Sequence, residues 1–326
     1  MFLRSFRFRP NDIDAALAER QFRVAFQPQM RLADSTLAGA EAFVRWRHPE
    51  FGMIPPGLFL DFLVEQGRMT DLTRLVLEDS LAALSAWQEA GLDCGVSVNL
   101  SIADLRAPGL CASVAEALER HAIAAPLLTL ELPHTLTYLG PNRRIETRPR
   151  NNTPERRTDT ATSRAWSDIQ GAVAGLRALG VRIALDGHRD ALETLEMFAP
   201  QTFDTVKIGA TAIRQLVEGV VGGAEGPLSR TRLRFAAEQG VETVAMGVED
   251  AGTLETVTGI GFSAAQGLLI GHPGPAGALA EWSPPGHRGE GDARPRHPAE
   301  TAAARAPAAP HLPGRRAFGQ RQRPLH

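Results

Sequence analysis

The stretch LGVRIALD, residues 179–186, decides the fold, because it shows in eight residues an order that recurs along the chain. A glycine ends an amphipathic helix, a short aliphatic run follows as a buried strand, and a polar residue closes the strand. The helix before it has apolar residues at helical spacing, at Ile169, Val173, Leu176 and Leu179. Helix, glycine and buried strand in this order predict one unit of an α/β fold.

Seven further strand candidates extend the pattern on both sides of this stretch. They lie at residues 23–27, 37–44, 95–99, 127–131, 205–208, 242–246 and, more weakly, 262–266. Eight strands with helices between them over about 250 residues favour a closed (β/α)8 barrel of the TIM type over an open sheet. We therefore expect a lead-in helix or segment at residues 1–20 and a barrel domain at residues 21–282.

Two segments break the pattern. Residues 141–163 are rich in Arg, Asn and Thr and nearly free of apolar residues, which predicts a long inserted polar loop. Residues 283–326 are rich in Pro, Ala, Gly and Arg without apolar periodicity, which predicts a disordered basic tail. Both segments are open to a second interpretation, as spurious extensions read from a GC-rich gene.

The composition excludes several classes of protein. The chain has 326 residues, of which 43% are hydrophobic, so it can bury a large core. A net charge of −2 gives no overall positive field for a nucleic acid polymer. Two cysteines, Cys94 and Cys111, stand in no CxxC pair, and no run of about 18 apolar residues occurs, so we expect no membrane span. These features predict a cytoplasmic protein.

Polar residues occupy the strand candidates at or near their ends. Asn99, Glu131 and Asp186 end their strands, while Glu41 and Lys207 lie within theirs. Because the carboxyl ends of barrel strands converge on one mouth, these side chains should meet there. Crowded carboxylates call for a cation, and an all-oxygen set suits Mg²⁺, Mn²⁺ or Ca²⁺ rather than zinc. The alternative is that each acid caps a helix or pairs with an arginine.

Motifs around these residues resemble those of the EAL domain family. In chain order they are FQP (26–28), EAFVRW (41–46, in place of EAL), VNLS (98–101), LE (130–131), ALD (184–186), VKI (206–208) and QG (266–267). The resemblance covers about residues 12–280. It implies a modified TIM barrel that binds cyclic di-GMP and, when active, hydrolyses one phosphodiester bond with two Mg²⁺ or Mn²⁺ ions to give pGpG.

The resemblance also implies roles for individual residues. Four of them match the family's metal ligands, namely Glu41, Asn99, Glu131 and Asp186. Lys207 matches the lysine that supports the attacking water and the phosphate, and Arg45 a phosphate contact. Gln27 and Gln266 match other positions of the ligand pocket. Lys207 is the single lysine among 35 basic residues, which suggests that a compact ammonium is required there.

Several departures from the family pattern affect positions that take part in metal binding or proton transfer in that family. Gly187 replaces the second of two adjacent aspartates, and the flexible loop that follows is rebuilt over residues 187–194. Met246 replaces the glutamate that serves as general base or second-metal contact, and a thioether can neither accept a proton nor hold a hard cation. His134 and His188 are candidate substitute ligands. We expect that the two-metal site is lost, that one divalent cation still binds, and that hydrolysis is absent or vestigial.

The sequence thus predicts a degenerate EAL-type protein of cyclic di-GMP signalling that acts through the nucleotide or through a protein partner. Intact Gln27, Arg45 and Gln266 favour nucleotide binding, whereas the rebuilt loop favours interaction with a protein. Of these two functions, the sequence slightly favours protein interaction. The alternative is an active phosphodiesterase in which another group replaces Met246, and a third interpretation is a decayed gene product. The resemblance further implies a homodimer.

Overall fold

The computed structural model describes residues 8–133, 136, 160–187, 202–214 and 236–286, with the backbone alone at residues 160–163 and 187. All of them belong to the first of two units of the chain, Met1–His287. Most of the predicted loop, most of the predicted tail, and the positions His134 and His188 lie outside the described residues.

Nine strands and seven helices make up the described part of the chain. The strands are β1 (Phe22–Arg31), β2 (Leu37–His48), β3 (Gly52–Ile54), β4 (Gly95–Asn99), β5 (Leu128–Leu132), β6 (Arg182–Gly187), β7 (Thr205–Ile208), β8 (Glu242–Met246) and β9 (Ala264–Gln266). The α-helices are α1 (Pro10–Ala18), α2 (Leu60–Glu65), α3 (Met69–Glu89), α4 (Ile102–Leu105), α5 (Leu110–Arg120), α6 (Thr160–Ala178) and α7 (Ala251–Ile260). Short 3-10 helices lie at Pro56–Leu58, Ala125–Leu127 and Ala276–Leu279.

Eight of the strands close into a barrel. Their order is β1-β9-β8-β7-β6-β5-β4-β2, and pairing of β1 with β2 completes the ring. Strand β1 runs antiparallel to both of its neighbours, whereas the pairs from β2 through β4 to β9 are parallel. The predicted α/β barrel of the TIM type is therefore confirmed, and the reversed first strand is its modification.

The stretch at residues 179–186 folds as its sequence predicts. Helix α6 ends at Ala178, Gly180 has a φ of +85°, and β6 begins at Arg182. A left-handed residue turns the chain sharply from helix into strand, and glycine adopts that conformation without steric cost. Ile183, Ala184 and Leu185 are fully buried, as expected for a strand covered on both faces.

Aromatic side chains fill the core beneath the first hairpin. Trp46 is fully buried, and its ring centroid lies 5.4 Å from that of Phe22 and 5.6 Å from that of Phe59. Its indole nitrogen donates to Gln21 Oε1 at 2.9 Å, so the one polar atom of the ring has a partner. This packing fixes β2, the strand that carries Glu41 and Arg45.

The structure adds detail at the first strands. β1 and β2 are longer than the predicted segments 23–27 and 37–44, and β3 pairs antiparallel with β2 from Trp46 to His48. The segment of β3 is only three residues long and half exposed, so it carries too little periodicity to be recognised in a sequence. Among the described residues, no helix is both long and apolar enough to cross a membrane.

Candidate functional site

The strand register brings the predicted residues to one end of the barrel as neighbours. Asn99 on β4 is paired with Glu131 on β5, and Asp186 on β6 with Lys207 on β7. On the other side Met246 on β8 is paired with Gln266 on β9. Because parallel strands share a direction, their carboxyl ends form one mouth, which is where TIM-type barrels place their chemistry.

A buried ion-pair cluster lies at the centre of this mouth. Lys207 Nζ is 2.7 Å from Glu41 Oε2 and also contacts Glu131 Oε1. The three side chains are at most 5% exposed, so water screens their charges little. One ammonium thus joins two carboxyl groups from β2 and β5, the two strands that flank β4.

Glu41 is held by amide donors as well as by the ammonium. Asn99 Nδ2 donates to Glu41 Oε1 at 2.8 Å, and Gln266 Nε2 donates to Glu41 Oε2 at 2.9 Å. Gln266 Nε2 also lies 3.1 Å from Gln27 Oε1, and Gln29 Nε2 donates to Gln266 Oε1 at 2.8 Å. Glu41 therefore has both oxygens bonded and its position fixed.

Gln29 is a member of this network that the motifs do not reveal. It lies two residues beyond Gln27 on β1, so both side chains are on the same face of that strand. The period-2 spacing of the two glutamines is the signal that could have found it. Its bond orients the amide of Gln266 and thereby the donor that Gln266 offers to Glu41.

Glu131 is held differently from Glu41. Its Oε2 is buried and has no hydrogen-bond partner among the described residues. Burial, together with the nearby charge of Glu41, raises the pKa of Glu131 to about 8, although Lys207 opposes the shift. Glu131 therefore retains its proton to a higher pH than a carboxyl group exposed to water.

Lys207 keeps its charge in spite of its burial. Burial alone would lower the pKa of Lys207, but the charges of Glu131 and Glu41 outweigh that effect and raise it. The ammonium therefore does at this mouth what a bound cation would do, which is to neutralise the carboxylates.

The ends of β6 and β8 contribute less to the cluster. Asp186 is half-buried, and its charge adds to the raised pKa of Glu131. Gly187 follows Asp186 in β6, and Met246 is half-exposed at the end of β8. In the described part of the chain, no group of three or more His, Cys, Asp or Glu residues is placed to hold a metal ion.

Arg45 lies near the mouth but apart from the cluster. It is half-buried, its Nη1 donates to the carbonyl oxygen of Val44 at 2.9 Å, and its guanidinium lies 5.7 Å from the ring centroid of Phe43. Burial lowers the pKa of Arg45 from its ordinary value. No hydrogen bond joins Arg45 to Glu41 or Lys207 in the described residues, so its positive charge remains directed to a ligand or to solvent.

Steric crowding requires glycine at the second position of the QG pair, immediately after β9. A Cβ atom on Gly267 would lie 2.1 Å from the carbonyl oxygen of Val248. Only glycine allows these two backbones to approach so closely, and the contact places Gln266 against Gln27 and Glu41.

These features define an EAL-type barrel mouth, and the comparison with known families agrees. The model of the EAL domain family matches residues 10–273, so the chain belongs to that family. A protein of Caulobacter vibrioides described as an uncharacterized signaling protein is 28% identical over 278 residues, which cover 85% of this chain and 30% of that protein.

Two further relatives come from Pseudomonas aeruginosa MucR, a bifunctional diguanylate cyclase and cyclic di-GMP phosphodiesterase. The full protein is 28% identical over 275 residues, 82% of this chain and 35% of MucR. The chain thus spans about a third of the length of these relatives. The solved structure of the MucR phosphodiesterase in complex with c-di-GMP has a TM-score of 0.64 and 26% identity, and the match covers 82% of this chain and 98% of that one.

A structure at lower identity supports the fold alone. The EAL domain of FimX from Pseudomonas aeruginosa, solved with c-di-GMP bound, has a TM-score of 0.62 and 20% identity, covering 81% of this chain and 95% of that domain.

Proposed function

We propose that this EAL domain binds cyclic di-GMP at the carboxyl-terminal mouth of its barrel and does not hydrolyse it, so that it acts as a receptor in cyclic di-GMP signalling. The observation that carries the proposal is a contrast at the mouth. The bonded network around Glu41 is complete, whereas β8 ends in Met246, where the family pattern has a glutamate.

The binding half of the proposal rests on charge and donors at the mouth. A cyclic dinucleotide carries two phosphate charges, and Arg45 presents a guanidinium with no acidic partner among the described residues. Guanidinium groups bind phosphate oxygens through paired N–H donors. Gln27 and Gln266 add amide groups that the network already holds in place, and the MucR phosphodiesterase was solved in complex with c-di-GMP.

The non-hydrolytic half rests on the strand ends of β6 and β8. A general base contributes about 10²- to 10⁴-fold to a rate, and the thioether of Met246 cannot take a proton from water. Gly187 lacks the carboxylate that would help to hold a second cation. These two losses affect one chemical step, so their costs fall together on the attack of water at the phosphate.

The remaining donors fit one hard divalent cation. Glu131 Oε2 is buried without a hydrogen-bond partner in the described residues, and the surrounding oxygens belong to carboxyl and amide groups, the ligands that Mg²⁺ and Mn²⁺ prefer. Glu41, Asn99, Glu131 and Asp186 would hold the ion only after their side chains turn toward it, because in the described residues they are not grouped around one point and both oxygens of Glu41 are bonded. When bound, the ion would supply positive charge toward the phosphate. Without the ion, Lys207 and the proton on Glu131 balance the charge of the carboxylates.

The cellular location of the protein, its oligomeric state and its partner are part of the same proposal. We place it in the cytoplasm, as a homodimer whose output passes to a protein partner. The domain of MucR that matches this chain belongs to a protein with a diguanylate cyclase function as well. An EAL domain that binds without hydrolysis would convert the level of the nucleotide into a change of partner affinity, since ligand binding and partner binding are reciprocally linked.

Calorimetry with cyclic di-GMP tests the proposal. The full chain is titrated once with Mg²⁺ and once with a chelator, and the same samples are then assayed for pGpG. We expect saturable binding in the micromolar range or tighter and no product. Product formation would overturn the non-hydrolytic half, and a folded protein that gives no heat with the nucleotide would overturn the binding half.

A further inference from the structure

A cavity of about 210 Å³ opens at the amino-terminal end of the barrel and reaches inward to Gln29 and Lys207 of the network described above. TIM-type barrels usually fill this space with bulky branched side chains. Here six of the lining positions carry small side chains or none, namely Gly39, Gly95, Ser97, Thr129, Ala184 and Ala264. The cavity therefore results from the small side chains that this chain has in the barrel interior.

Three hydroxyl groups line the cavity, and two of them make no side-chain hydrogen bond with the described residues. Ser97 is only 6% exposed, and its hydroxyl makes no hydrogen bond with any described residue. Thr129 is half-buried and equally without a side-chain bond in the described part of the chain. The hydroxyl of Thr205 accepts one long bond, 3.4 Å from Arg182 Nη2. Buried polar groups in native proteins are nearly always bonded, so the buried hydroxyl of Ser97 points to a polar occupant, which Thr129 and Thr205 can also reach.

The charges at the opening of the cavity are of both signs. Arg182 Nη2 lies 2.6 Å from Glu242 Oε2, and both residues line the cavity. Arg31 also lines it and lies 3.6 Å from Asp34, while Asp93 adds a second carboxylate to the lining. Paired charges of opposite sign give no field that selects an anion or a cation. The opening therefore suits an uncharged molecule that both donates and accepts hydrogen bonds.

We propose that this cavity binds a small uncharged polyhydroxylated molecule, between glycerol and a pentitol in size. Its hydroxyls would bond to Ser97, Thr129 and Thr205 inside the barrel and to the Arg182 and Glu242 pair at the opening. The site opens at the opposite end of the barrel from the nucleotide site, and Gln29 and Lys207 of the network form part of the wall between them. A ligand with so few atoms gains little free energy, so we expect a millimolar Kd.

Ligand-observed NMR with erythritol and xylitol tests this site in the full chain. We expect saturable binding that weakens about tenfold in the Ser97→Ala, Thr129→Val variant, because each lost hydroxyl removes one hydrogen bond to the ligand. Neither substitution removes a side-chain bond within the described protein. Thr256→Val removes a hydroxyl on α7 that donates to the carbonyl oxygen of Gly252 and does not line the cavity, so it is the control, with unchanged binding expected.

Three results would overturn the proposal. Absence of saturable binding would mean that the cavity holds water alone, and equal binding by the wild-type and hydroxyl-deleted proteins would place the polyol elsewhere. Tighter binding of glycerate or serine than of erythritol would show that the ligand is charged. Thermal unfolding checks the fold of each variant, and Thr129→Val alone replaces the double variant if the latter does not fold.

Discussion

Two sets of strand ends at the mouth of the barrel differ in what they hold. Strands β2, β7 and β9 carry Glu41, Lys207 and Gln266, which bonds of 2.7 to 2.9 Å join into one buried network. Strands β6 and β8 end in Gly187 and Met246, neither of which has a group that can bond to a cation or take a proton from water. The difference teaches that binding and hydrolysis depend on separate strand ends of one barrel and can therefore be lost separately.

The largest effect is expected from removing the charge at the centre of the network. Lys207→Met leaves the buried carboxylate of Glu41 without its counter-charge, which costs about 3–5 kcal/mol in the free energy of unfolding. Urea-induced unfolding near neutral pH measures the loss.

A double variant sharpens this result. Lys207→Met combined with Glu41→Gln removes the stranded carboxylate, so we expect part of the stability to return. A loss below about 1 kcal/mol in Lys207→Met alone, the size typical of an exposed pair, would show that the network does not carry the charge balance described above.

Arg45 tests whether the mouth still recognises phosphate. Arg45→Ala should weaken cyclic di-GMP binding about 10- to 100-fold, the effect of one charged hydrogen-bonding partner. Arg47→Ala, on the same strand but with an exposed side chain, is the matched control and should bind as the wild type does. Calorimetry measures both, and equal affinity of the two variants would remove Arg45 from the site.

Glu131 gives a smaller effect that depends on pH. Its pKa is about 8 in the folded protein against an ordinary value of 4.5, so between these values the folded state retains a proton that the unfolded chain has released. The free energy of unfolding should therefore fall as the pH rises through this window. Glu131→Gln cannot ionise, so it should flatten that slope, and its stability relative to the wild type should rise toward the upper end of the window.

Unfolding in urea at a series of pH values from 5 to 8 measures this slope, a window set by the two pKa values of Glu131. A slope that is the same in Glu131→Gln and in the wild type would contradict the assignment of the bound proton to Glu131. Glu242→Gln, an exposed acid at the amino end of β8, is a control that should leave the slope unchanged.

Much of the fold and part of the site could be predicted from the sequence. The end of a buried strand is readable from its apolar run, which predicts strand ends at Asn99, Glu131 and Asp186, and in the structure these strands end at Asn99, Leu132 and Gly187. The three-residue strand β3 was not predicted, because a short exposed segment has no period.

The contacts within the site could not be derived in the same way. Spacing shows which strand carries Lys207, but the pairing of its ammonium with both Glu41 and Glu131 depends on how the strands shift past one another in the closed barrel. For the same reason the sequence gives no indication of the cavity lined by Ser97 and Thr129 beyond the small size of its lining residues.

The most direct test of the central claim is a single-turnover assay for pGpG with protein in excess over cyclic di-GMP in Mn²⁺. It compares the wild type with the Gly187→Asp, Met246→Glu variant, which restores both missing carboxylates. We predict that the wild type binds the nucleotide and forms no pGpG above the protein-free background, and that the variant exceeds that background by about 10²-fold or more. Formation of pGpG by the wild type that Glu41→Gln abolishes would contradict the account.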